Sequence, residues 1–140
     1  MKNRLIFSSK AKTLEDLSSV IQSAKVLPLY RFYAIDFKEN ELNIINNIQS
    51  QFKENVIIRS SSANEDNLHS SNAGGFDTVM NVNSNNNNKL VQAINKVIDS
   101  YGDGLNKLDE IFVQPMLSNV SMSGVIFSAD IDTFSSYYII

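Results

Sequence analysis

Apolar positions along the 140-residue chain fall into short extended runs and helically spaced stripes. Leu5-Ile6-Phe7 reads as a first strand, and Ser8-Ser9-Lys10 leads into a helix. Thr13 is the expected cap of that helix, with Asp16 three residues later in a capping-box-like arrangement. Leu14, Leu17, Val20, Ile21 and Ala24 recur at helical spacing and predict its buried stripe. Residues 26–30 and 33–37 read as extended, with Pro28 breaking the helix before them. A second helix is expected over 39–54, with Leu42, Ile45, Ile48 and Phe52 inward. Strands follow at 56–58 and 76–82, and the asparagine run 84–88 reads as a loop and helix cap. Leu90, Ile94, Val97, Ile98 and Tyr101 mark the inner face of a third helix over about 88–101, which Gly102 and Gly104 end. Further strands are expected at 111–116, 123–128 and 137–140, with Pro115 marking an edge position or a bulge. Strands mixed with helices and joined by short links argue an α+β domain rather than a doubly wound sheet.

The segment between the strands at 56–58 and 76–82 carries the chemistry. Val56-Ile57-Ile58 delivers Arg59, and a long polar stretch leads to Ala73-Gly74-Gly75. Two strands framing a polar, glycine-bearing loop with a cation at its entrance suit an anion. Loop N–H groups can point at phosphate oxygens, glycine permits close approach, and the arginine fork binds two oxygens at once. Read alone, the same residues also fit an ordinary hairpin whose first strand ends in arginine.

Composition narrows the ligand. With 12 Lys and Arg against 15 Asp and Glu, the net charge is −3 and no basic face stands out, so nucleic acid is not an expected partner. Any positive potential is local, as a small anion requires. No cysteine is present, which removes disulfides and thiolate metal sites. No apolar run approaches a membrane span or a signal-peptide core, so a cytoplasmic protein with no membrane partner is expected.

Two blocks carry a family resemblance. In the first, Arg59-Ser60-Ser61, Glu65-Asp66, Ala73-Gly74, Asp77-Thr78 and Asn81-Val82 follow one another in order. In the second, Val113-Gln114-Pro115-Met116 precedes Ser123-Gly124-Val125-Ile126-Phe127-Ser128. Together they resemble the N-terminal nucleotide-binding domain of phosphoenolpyruvate synthase, pyruvate phosphate dikinase and rifampicin phosphotransferase. Lys10 and Leu14 match a further motif of that family, whereas Ser8 and Ser9 replace its two glycines, and Ala129 replaces an arginine.

The resemblance implies an ATP-grasp-like first lobe, with a mixed sheet and about three helices, whose ligand is ATP with Mg²⁺. It implies that Arg59 holds β- or γ-phosphate oxygens as the catalytic contact. Lys10, Gly74 and Thr78 face the phosphates, and Gln114 faces the adenine or ribose. Lys12 is a second candidate beside Lys10; position alone would make Lys10 a solvated surface lysine, and Gln114 a solvent-facing strand residue. Glu65 and Asp66 have metal-ligand chemistry but are expected to hydrogen-bond the loop or pair with a cation. His69 does not match the family's phosphohistidine motif and reads as a loop surface residue.

No metal ligand is assigned to this chain. In the family the metal-binding carboxylate comes from a second lobe, so residues 1–140 read as a single, incomplete ATP-binding domain. Its expected partners are the remaining domains of a longer enzyme or a separately encoded protein. The expected function is the ATP-binding lobe of a phosphotransferase that works through a phosphohistidine on pyruvate or another acceptor. The alternative is a degenerate, non-catalytic nucleotide-binding or regulatory module, which the replaced glycines and the lost arginine favour.

Overall fold

The computed structural model describes residues 8–62, 66–67, 70–71, 77–102, 104–127, 129–130, 132–133, 135–136 and 138. Three helices, α1 (Lys10–Ser18), α2 (Phe37–Gln51) and α3 (Asn87–Asp99), accompany β1 (Tyr30–Tyr33), β2 (Asn55–Ser61), β3 (Asp66–Asn67), β4 (Ser70–Ser71), β5 (Thr78–Asn83) and β6 (Glu110–Pro115). The class is α+β. The main sheet has the order β1-β6-β2-β5, and its pairings are all antiparallel; β3 and β4 form a separate two-stranded ribbon.

Strand alternation gives the sheet two unlike faces. Phe32, Val56, Ile58, Val82, Ile111 and Val113 point one way and merge with Ile44, Ile45 and Ile48 of α2 and Leu90, Ile94 and Val97 of α3 into one core. β5 carries a bulge there: Val56 pairs with Val82 but Ile58 pairs with Val79. The extra residue places Asn81 at φ 57°, a left-handed conformation that asparagine tolerates better than most residues.

The third helix follows its sequence closely. The Asn86 side chain caps it, accepting from the Lys89 N–H at 3.0 Å, and Gly102 at φ 76° turns the chain away beyond its end. Replacing Asn86 with alanine should cost about 1 kcal/mol, read as a lowered urea midpoint at unchanged m value.

Other expectations need correction. Ser9, not Thr13, caps α1, and the helix ends at Ser18, so Val20 lies outside it and is half exposed. Ala11 is the only fully buried residue of α1. In α2 the inward positions are Phe37, Ile44, Ile45 and Ile48, while Leu42 is 71% exposed. The helix starts earlier than expected and breaks at Asn40 (φ −122°, ψ 21°), which resets its phase. Residues 34–36 form a 3₁₀ turn rather than a strand.

Pro115 closes an interior strand, yet pairing with β1 stops at Val113, so only one side of the strand is laddered at the proline. Residues 121–126 form no strand, and Val125 and Ile126 are exposed. The expected strand at 5–7 lies outside the described residues, as does most of 137–140.

Candidate functional site

The sheet face turned away from the core carries the polar residues. Register pairing lines up Arg31, Phe112, Arg59 and Thr78 as directly opposed neighbours across all four strands. Gln114 stands two residues along β6 from Phe112 on the same face, opposite Ile57. Glu110, two residues the other way, opposes Ser61 and Tyr33. Helix α1, which begins with Lys10, docks at the Glu110 end. Four sequence-derived candidates, Lys10, Arg59, Thr78 and Gln114, therefore belong to the elements of one face. Gly74, Glu65 and His69 lie outside the described residues, and only the backbone of Asp66 is described.

Each of the four is held differently. The Arg59 guanidinium carbon lies 5.4 Å from the centroid of the Phe112 ring, and the ring itself is fully buried. Among the described residues no carboxylate forms an ion pair with Arg59. Thr78 is exposed at the start of the edge strand β5. Gln114 is 7% exposed, and its amide donates to the Leu27 carbonyl at 3.4 Å, contrary to a solvent-facing position. Lys10 occupies the first position of α1 and is half-buried. Lys12 is paired within its own helix. Its Nζ donates to Asp16 Oδ1 at 2.8 Å, and this bond chiefly raises its pKa.

A polar joint not visible in the sequence fixes α1 to the sheet. The buried Glu110 carboxylate accepts from Ser9 Oγ and from Arg31 Nη1, the latter at 2.8 Å. Arg31 Nε donates to Glu15 Oε2 at 2.9 Å. The hydrogen bond to Glu15 is the main cause holding the Arg31 pKa above its ordinary value, so this cation stays charged throughout the working pH range. The Ala11 N–H donates to Ser61 Oγ at 2.9 Å, and the Lys12 N–H to Ser9 Oγ at 3.3 Å. The Thr13 N–H meets the Ser9 carbonyl at 2.9 Å. These first-turn amides bind the protein itself. Ser9 thus makes the start of α1 a structural joint.

Behind the joint, Tyr101 Oη donates to the Glu110 carbonyl and accepts from the Ser61 N–H at 3.0 Å. The side chains of Ser62 and Asp109 meet at 2.8 Å. The one local clue to this network is Arg31, a cation set between the aromatic residues Tyr30 and Phe32.

The face fits an anionic ligand with an apolar or aromatic part. Arg59 supplies charge and donors without a competing carboxylate among the described residues, Thr78 a hydroxyl, Gln114 an amide, and Ile57 an apolar floor. Among the described residues no group of three or more His, Cys, Asp or Glu is placed to hold a metal ion. No described helix is long and apolar enough to cross a membrane.

No curated protein and no solved structure matches the chain. A family model does, that of the pyruvate phosphate dikinase AMP/ATP-binding domain, over residues 3–103. The matched span includes Lys10, Arg59, Gly74 and Thr78 and stops before Gln114. With most of its length matched, the chain belongs to the pyruvate phosphate dikinase AMP/ATP-binding domain family.

Proposed function

We propose that this chain is the first lobe of the ATP-binding domain of a phosphoenolpyruvate synthase-like phosphotransferase, and that residues 1–140 form a single, incomplete unit of it. The observation that carries this reading is the shared face: Arg59, Thr78 and Gln114 stand on one side of the sheet, with Lys10 on the helix docked there. Arg59 grips β- or γ-phosphate oxygens through its fork and stabilises charge that develops there. Thr78 Oγ1, the Lys10 ammonium and the Gly74 amide add donors. Gln114 reads the adenine or ribose through its amide, using the acceptor and the donor hydrogen not directed at Leu27. Mg²⁺ enters on the nucleotide and would neutralise phosphate charge, with protein ligands supplied by a second lobe. In the complete enzyme the phosphoryl group passes through a histidine to pyruvate or another acceptor, in the cytoplasm.

Half of a nucleotide clamp binds weakly. Mg-ATP titrated into the 140-residue chain and followed by ¹H–¹⁵N NMR should give a saturable Kd of about 1 mM. The shifts should centre on the Arg59 side chain, the Thr78 amide and the Gln114 amide, with no turnover. Arg59→Ala should weaken binding by about tenfold or more, as expected for the loss of a charge-assisted pair of bonds. Scattered, unsaturable shifts, or equal affinity in Arg59→Ala, would refute the assignment. The internally bonded first turn of α1 favours a second reading, a non-catalytic module on the same fold. That reading gains if a chain extended through the second lobe also fails to respond to Mg-ATP.

A further inference from the structure

We propose that Phe112 is a positioning residue for Arg59, presenting its guanidinium to the nucleotide phosphates; this rests on the assignment of Arg59 above. Phe112 is the shared neighbour of two arginines, opposed to Arg31 on β1 and to Arg59 on β2. The two cations have different fates. Arg31 directs donors at Glu15 and Glu110, so its charge and hydrogen bonds serve the joint under α1. Arg59 has the ring instead, at 5.4 Å from its centroid.

That difference has chemical content. A carboxylate partner would occupy the N–H donors of Arg59 and offset its charge. An aromatic face attracts the cation through its quadrupole and leaves the in-plane donors for an anion. It also limits the rotamers of a long side chain before the ligand arrives, lowering the ordering cost of binding. Phe112 can serve as a fixed platform because it is itself fully buried in the interior strand β6. It lies outside the main apolar core, on the face where α1 docks, which holds the ring in place beside Arg59.

The test is a double-mutant cycle on the full 140-residue chain, with Arg59→Ala and Phe112→Leu singly and together. Leucine keeps an apolar side chain but removes the π face. Mg-ATP and adenosine are titrated separately by NMR, and the Arg59 Nε–Hε resonance is followed in the free protein. Phe112→Leu should weaken Mg-ATP binding by roughly three- to thirtyfold, the range of a cation–π contact. Adenosine binding should be unchanged, and Phe112→Leu should add no further loss in the Arg59→Ala background. The wild-type Hε resonance should show an aromatic ring shift that collapses in Phe112→Leu.

Unchanged Mg-ATP affinity, an equal loss for adenosine, or a loss that persists without Arg59 would overturn the proposal. An Hε resonance with no ring shift in the wild type would overturn it too. Failure of the wild type to bind Mg-ATP, with the ring shift present, would instead remove the nucleotide assignment and leave the Phe112–Arg59 platform standing.

Discussion

Replacing Glu110 with alanine should lower the unfolding free energy by about 3 kcal/mol and also weaken Mg-ATP binding. The carboxylate is 7% exposed and joins three elements: Ser9 at the cap of α1, Arg31 on β1, and its own strand β6. Its removal leaves the Arg31 guanidinium, only 26% exposed, with Glu15 as its remaining carboxylate. A charge left under-compensated in that setting costs far more than a lost surface pair. The Ser9 hydroxyl loses its acceptor at the same time, so the start of α1 loosens and Lys10 loses its placement. Glu110→Gln keeps the shape and an acceptor for Ser9, and should cost less than half as much. Urea unfolding monitored by circular dichroism measures both variants. A loss for Glu110→Ala no larger than that of an exposed ion pair would show that the joint does not hold the helix.

Glu110 also shows where a local reading of the sequence stops. Its bond to Ser9 spans 101 residues and depends on strand register and helix docking together. Nothing near Glu110 in the chain announces a buried carboxylate. The strands β2 and β6 were legible because Val56-Ile57-Ile58 and Ile111-Phe112-Val113 are β-rich runs bounded by polar residues. Helix α3 was legible because its stripe, its asparagine cap and its terminal glycine agree.

Agreement fails in α1 and α2. Leu17, Val20 and Ile21 keep helical spacing, but the helix stops at Ser18, where the Ser18 and Ser19 hydroxyls bond back to the Glu15 and Asp16 carbonyls. In α2, periodicity starting at Glu39 selects Leu42, whereas a helix starting at Phe37 with a break at Asn40 selects Ile44. At 123–128 the apolar run has strand propensity, but a strand needs a ladder partner, and only an isolated bridge at Phe127 forms among the described residues.

The placement of Arg59, Thr78 and Gln114 on one face follows from a register that motif spacing could only imply. Arg59 opposes both Thr78 and Phe112, so the cation named by the motif and the ring that holds it come from strands far apart in sequence. In the sequence Phe112 is only part of an apolar strand, since the same letter serves a core position and a cation platform equally well.

The opposite face gives a contrasting expectation. Phe37→Ala should lower stability by about 3–5 kcal/mol, the range for emptying a buried aromatic site. Phe37 is 1% exposed, and its ring centroid lies 6.0 Å from that of Phe32, which in turn lies 5.9 Å from Tyr30. It stands where the 3₁₀ turn passes into α2, within three residues of the break at Asn40, so the backbone has little regular helix to slide inward. A cavity there stays open, and domains of this kind hold only about 5–15 kcal/mol in total. The melting temperature should fall by roughly 10 °C, while Phe37→Leu, which keeps most of the volume, should cost about 1 kcal/mol. Because Phe37 packs on the core face, the folded fraction of Phe37→Ala should bind Mg-ATP as the wild type does, unlike Glu110→Ala. Loss of affinity in both variants at matched folded fraction would mean that the two faces of the sheet are coupled, and that binding at the Arg59 face depends on the whole core rather than on the α1 joint.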